Sequence, residues 1–162
     1  MRIVTEDQAR AEYPDLGRPL RNGVFVFEHE RQGTLPRLSA LKNELASWLV
    51  TELWPDAPLC IRATGFFPKQ GSVSGFAEIL QRLAQNQNAL FGYASNCMVF
   101  EDSEIEVAKA MARLCLTNLV DCCFTTSRGG LVVQVTHHEA LVVGGDDLDR
   151  VLHISKALDR FD

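Results

Sequence analysis

The segment VDCCFTTSRGGLVVQVTHHEALVV, residues 120–143, decides the fold. Two runs rich in β-forming residues, 120–127 and 131–137, flank Arg128-Gly129-Gly130, and a glycine pair between such runs is a strong β-hairpin signal. A third run of this kind, 140–143, follows closely. The segment therefore predicts an antiparallel meander late in the chain.

Strands and helices alternate upstream of the meander. Residues 24–27, 59–64 and 93–100 have the composition of strands. Capping residues ahead of apolar positions at helical spacing predict five helix starts. These residues are Thr5, with Gln8 completing a capping box, Thr34, Ser72, Ser103, with Glu106 completing a second box, and Asp146.

This order of elements predicts the fold class. Alternating strands and helices favour parallel pairing early, and the meander favours antiparallel pairing late. We therefore expect one α/β (α+β) domain over residues 1–162, since this length suits a single core. Its mixed β-sheet has early β-α alternation and a C-terminal antiparallel meander, and about four to five helices cover it.

Composition narrows the class of protein. Apolar residues make up 46% and charged residues 23%, a globular balance without an apolar run that could span a membrane. The number of cysteines, five, is odd, and Cys122 and Cys123 are adjacent, so a disulfide framework is not expected. Free cysteines in turn favour a reducing compartment, the cytoplasm. The acidic start of the chain lacks the apolar core of a secretory signal.

The net charge of −5 is unevenly distributed. Residues 101–162 hold six Lys/Arg against eleven Asp/Glu, whereas the first hundred residues are balanced. Such acidity disfavours nucleic acid as a partner and favours a basic protein.

The acidic residues form two clusters, each at a predicted helix start. One contains Glu101, Asp102 and Glu104, and the other contains Asp146, Asp147 and Asp149. Acids at these positions stabilise the helix dipole without any further function. Paired carboxylates can also perform acid–base chemistry or hold a divalent ion. We expect these six residues to contribute to a partner-binding surface.

A cysteine and a histidine provide a weaker, catalytic alternative. If Gly129-Gly130 forms a two-residue loop, Cys122 lies opposite His137, which makes a thiol–imidazole pair conceivable. The same strand face holds Phe124 and Val133, so packing is the stronger interpretation. We expect neither a metal site, which needs three or four ligands, nor a cofactor.

The loop over residues 65–71 is a further candidate for partner binding. Phe66 and Phe67 are adjacent, so one of them can face outward and anchor a partner. The alternative is that one packs inward and the other covers the loop.

These features together favour a non-catalytic protein-binding domain. A bacterial immunity or antitoxin-type inhibitor, which covers the basic cleft of a toxin, has this profile of small size and one-sided acidity. The alternatives are a small cytoplasmic enzyme with a Cys/His or carboxylate site, a secretion chaperone, or a ligand-sensing accessory domain, the last with a homodimer through the meander edge as one form.

Overall fold

The computed structural model describes residues 1–21, 24–64, 95–118 and 120–161. Nine strands and four α-helices form within these ranges. The strands are β1 (Arg2–Val4), β2 (Leu20–Arg21), β3 (Val24–Phe25), β4 (His29–Thr34), β5 (Leu59–Thr64), β6 (Ser95–Phe100), β7 (Asp121–Thr126), β8 (Leu131–Val135) and β9 (Ala140–Gly145). The helices are α1 (Glu6–Glu12), α2 (Ser39–Leu53), α3 (Ile105–Thr117) and α4 (Leu148–Leu158). The chain is a single mixed α+β domain, which confirms the predicted class.

Seven of the strands form one open sheet in the order β1-β6-β5-β7-β8-β9-β4, while β2 and β3 form a separate hairpin. Near the centre of the sheet, Ile61 pairs with Met98 on one side and with Phe124 on the other. Phe124 faces Val133, and Val133 faces Val143. This register confirms the predicted meander, because β7, β8 and β9 are consecutive antiparallel neighbours.

The expectation of parallel pairing early in the chain is wrong. Every pair between the described strands is antiparallel. The strands β4 and β5, joined through α2, do run in the same direction, but β9, β8 and β7 lie between them. Likewise β6 and β7, joined through α3, run in the same direction with β5 between them. The helical connections thus preserve strand direction but carry the chain past the adjacent position.

The sheet is covered on both faces, because alternate strand residues point to opposite sides. On one face, α2, α3 and α4 pack over a large core that includes Ile61, Met98 and Phe124. The other face carries a smaller core beneath α1 and the turn that follows it. Its buried members are Ala9, Tyr13, Leu16, Phe25, Cys60, Cys97, Val99, Cys123 and Val132.

The predicted start of α1 is confirmed, and that of α2 is wrong. The Thr5 hydroxyl accepts from the backbone N–H of Gln8 at 3.3 Å, and the Gln8 side chain accepts from the Thr5 backbone at 2.9 Å. Thr34 is instead the last residue of β4, and α2 begins at Ser39. The start predicted at Ser72 lies outside the described residues.

The predicted caps of the last two helices are displaced. Glu101 and Glu104, rather than Ser103, form the capping box before α3, around a short 3₁₀ turn. Asp147, rather than Asp146, caps α4 by accepting from two backbone N–H groups of its first turn. In both places several acidic residues stand in a row, and each of them can cap, so the sequence locates the helix start only to within two residues.

The sequence does not predict the two edge strands of the sheet. β1 has only three residues, and β4, with the sequence HERQGT, has no alternation of apolar and polar residues. Charged edge strands are common, since they discourage pairing with other chains. β4 nevertheless pairs with β9 over its whole length, from His29 opposite Gly145 to Thr34 opposite Ala140.

Candidate functional site

The two acidic clusters lie at the same end of the sheet. Four successive antiparallel pairings separate β6 from β9, so the two strands run in the same direction. One cluster follows β6 after Phe100, and the other follows β9 after Gly145. At about 4.8 Å per strand, the two strand ends are about 19 Å apart. We call Glu101, Asp102, Glu104, Asp146, Asp147 and Asp149 together the acidic end.

The first cluster is tied to the N-terminus of the chain. The side chain of Glu104 pairs with the amino group of Met1 and also accepts from the backbone N–H of Glu101 at 3.0 Å. The Glu101 carboxylate lies 3.4 Å from the Arg2 guanidinium. Asp102 is exposed and forms no ion pair with any described residue. Two of the three carboxylates are therefore already neutralised by groups of this chain.

The second cluster has a similar division of roles. Asp146 pairs with Arg18, although its side chain remains 49% exposed. Asp147 accepts from the backbone N–H groups of Asp149 at 2.9 Å and of Arg150 at 3.2 Å. The carboxylate of Asp149 is exposed and, in the part of the chain that is described, has no ion-pair partner. Asp149 and its counterpart Asp102 are thus the carboxylates most available to a partner.

Asp56, a residue that the sequence did not single out, lies between α2 and β5 near the second cluster. Its carboxylate pairs with Arg128 of the β7–β8 turn at 2.8 Å and with Arg150 of α4. Arg128 is 71% exposed, so at least one accessible cation lies beside the second cluster. The sequence hides this network because its members are far apart in the chain.

Arg18 anchors the acidic end to the smaller core. It pairs with Asp146 and, at 2.7 Å, with Asp15, whose carboxylate is almost fully buried and also accepts from Thr125. Burial opposes the charge of Arg18, but the hydrogen bonds to the two aspartates outweigh it and raise the guanidinium pKa. The guanidinium also lies 4.6 Å from the centre of the Phe27 ring. The position of Asp146 is therefore fixed from the interior of the protein.

The conditional pairing of Cys122 with His137 is wrong. Cys122 lies opposite Val135, because the β7–β8 connection has four residues, 127–130, rather than two. Within it the N–H of Gly129 donates to the Thr126 carbonyl. Cys122 is buried in the large core, where a hydrogen bond with Cys115 and desolvation raise its pKa. The thiol is therefore protonated at neutral pH and poorly placed as a nucleophile.

His137 has a different partner, at the opposite end of the sheet from the acidic residues. Its Nδ1 lies 2.9 Å from the carboxylate of Asp121, which also accepts from the His137 backbone N–H. The ring centres of His137 and His138 are 3.9 Å apart. Asp121 thus sets the orientation of the His137 ring, and Cys122 has no part in this contact.

The remaining candidates, Phe66 and Phe67, lie outside the described residues, so their role as partner anchors stays a prediction.

Metal binding and membrane insertion have no support among the described residues. No group of three or more His, Cys, Asp or Glu side chains is arranged to hold a metal ion among them. None of the helices in that part of the chain has both the length and the hydrophobicity to cross a bilayer.

Comparison of the chain with protein-family models, with curated proteins and with solved structures finds no match.

Proposed function

We propose that this chain is a non-catalytic protein-binding domain that docks its acidic end on a basic surface of another protein. The observation that carries the proposal is the meeting of two acidic clusters, more than forty residues apart in sequence, at one end of the sheet. Complementary charge accelerates association and selects partners.

The arrangement of the carboxylates supports this function. Asp147 and the first-turn N–H groups of α4 hold one cluster, and the capping box of Glu101 and Glu104 holds the other. The carboxylates that remain available, Asp102 and Asp149, therefore project from ordered backbone. A partner meets a fixed charge pattern, so little conformational entropy is lost on binding.

An inhibitor of the immunity or antitoxin type is the finer form of this proposal. Toxins that act on nucleic acid need basic clefts, and an acidic end about 19 Å wide between its two clusters suits such a cleft. All five cysteines are free and buried, which suits a reducing compartment, and we place the chain in the cytoplasm.

The test measures association kinetics. The immobilised chain captures proteins from a bacterial lysate, and the basic proteins that elute with salt are identified and purified. Their association rates are then measured by stopped-flow fluorescence at several salt concentrations, with the wild type and with the double variant Asp102→Lys/Asp149→Lys. The double variant Asp7→Lys/Glu44→Lys, which reverses two exposed charges on α1 and α2 and so makes the same change in net charge, is the matched control.

We expect the double variant to associate about tenfold more slowly at low salt, and the difference to shrink as salt screens the charges. The control variant should associate like the wild type. If the association rate of a captured partner changes neither with salt concentration nor with the double substitution, docking through the acidic end is refuted.

A further inference from the structure

A cavity of about 320 Å³ lies between β4 and α4. The C-terminal parts of both elements line it, whereas the acidic end adjoins their N-terminal ends. The cavity is therefore separate from the proposed docking surface. Its volume is near the lower limit of about 300 Å³ that is usual for small-molecule sites.

The floor of the cavity is apolar, and Gly33, which has no side chain, leaves space above it. Leu141 and Val143 of β9 are buried and line it, together with Leu152, an exposed leucine of α4. Gly33 pairs with Leu141 and so faces the same side of the sheet. A Cβ atom built on Gly33 meets nothing within 4 Å, so any larger residue would enter the cavity.

The charged residues on the walls favour an anion. Arg31 of β4 and Lys156 of α4 both line the cavity, and neither forms an ion pair with a described residue. Asp159 also lines it, so the walls carry one net positive charge. An anionic head group can pair with the two cations while an apolar body covers the leucines.

We propose that this cavity binds a small carboxylate with an unbranched aliphatic chain. At about 30 Å³ for each water-sized group, the volume holds about ten non-hydrogen atoms. Octanoate has ten such atoms, with a charged head and an apolar chain, and octanamide has the same size and shape without the charge. The two compounds form a matched pair of probes.

The experiment titrates the full chain with octanoate by isothermal calorimetry and by NMR chemical shifts. We expect one octanoate per chain, with a Kd on the order of 0.1–1 mM, and several-fold weaker binding of octanamide. Arg31→Ala and Lys156→Ala should each weaken octanoate binding about threefold, and Asp159→Asn should strengthen it about twofold. Gly33→Leu should abolish binding by filling the floor.

Arg113→Ala removes an exposed cation of α3 that does not line the cavity, and it should leave the affinity unchanged. Thermal unfolding checks that Gly33→Leu is folded, and the three charge variants test the proposal even if it is not. Absence of saturable octanoate binding at 10 mM overturns the proposal. Equal binding of octanoate and octanamide, or affinities that ignore the three wall charges, overturns the assignment of an anionic ligand.

Discussion

Two glycines on neighbouring strands provide a sharp test of the packing. Gly145 ends β9, and a Cβ atom there lies 2.5 Å from the Gly130 carbonyl oxygen and 3.0 Å from the Val151 side chain. The carbonyl cannot easily move, because it accepts from the backbone N–H of Asp146 at 3.1 Å. Gly33 in β4, by contrast, has open space where its Cβ would stand.

We expect Gly145→Ala to lower the free energy of unfolding by about 2–3 kcal/mol, the usual cost of forcing an extra group into a packed site. For a chain of this size that corresponds to about 5–10 °C in Tm. Gly33→Ala should leave stability unchanged or raise it by about 0.4–1 kcal/mol, because alanine restricts the unfolded chain.

The assay is urea unfolding of both variants beside the wild type, followed by the fluorescence of Trp48 and Trp54, which are partly buried against the large core. Equal m-values show that the variants differ in stability rather than in compactness. The reasoning fails if the two variants shift the midpoint by the same amount, since only Gly145 meets a backbone atom.

Three further results are expected. Phe124→Ala, at the centre of the large core, should destabilise the chain by about 3–5 kcal/mol in urea unfolding. Arg18→Ala should cost about 2–4 kcal/mol by the same measurement, because it leaves Asp15 buried without its cation, while Asp146→Asn should cost less than about 1 kcal/mol. Burial raises the pKa of the Cys123 thiol from 9.0 to about 12, so the folded state keeps a proton that the unfolded chain loses. Stability should therefore fall from about pH 9 to about pH 12, and unfolding curves of Cys123→Ala at several pH values should show a shallower fall, by up to about 1.4 kcal/mol per pH unit.

For each of these three predictions, one outcome would contradict the reasoning. A Phe124→Ala variant as stable as the wild type would show that the core is assigned to the wrong residues. Equal losses of stability in Arg18→Ala and Asp146→Asn would show that Arg18 stabilises the protein through its exposed pair with Asp146 rather than through its buried pair with Asp15. An unchanged pH dependence in Cys123→Ala would show that this thiol ionises alike in the folded and unfolded states.

The parts of the fold that the sequence predicts are those specified by local chemistry. The β5 strand, Leu59–Thr64, agrees to the residue with its apolar, β-rich run, and the Thr5–Gln8 capping box forms as its spacing predicts. Both signals depend on residues that are neighbours in the chain, so tertiary structure has little opportunity to override them.

The parts that the sequence does not predict depend on distant residues. The polar strand β4 forms because it pairs with the edge of β9. The residues His29–Thr34 contain no sequence pattern that predicts this pairing. The sequence does not predict the length of the β7–β8 turn, because Gly129 and Gly130 suit a four-residue loop as well as a two-residue one. With the four-residue turn, Cys122 lies opposite Val135 rather than opposite His137.

The candidate site divides in the same way. Local clustering identified the six carboxylates of the acidic end, since adjacent acids are visible in any sequence. Their neutralising partners, such as Arg2 and Arg18, are not visible, because the Arg2–Glu101 and Arg18–Asp146 pairs join residues far apart in the chain and form only after the sheet assembles. The net charge therefore overstates the negative charge that is available to a partner. Asp102 and Asp149 carry most of the negative charge that is not neutralised within the chain.

The pairing of β4 with β9 also determines the order in which the protein can fold. His29 pairs with Gly145, so more than a hundred residues must be synthesised before this edge of the sheet can close. Contacts of such long range make a folding reaction slow, on the order of milliseconds to seconds. During synthesis, β4 lacks its two main partners, β9 and α4, until the last strand and helix have emerged from the ribosome. A truncation that removes β9 would leave β4 permanently without the strand it pairs with, and its unpaired backbone groups would be open to association with other chains.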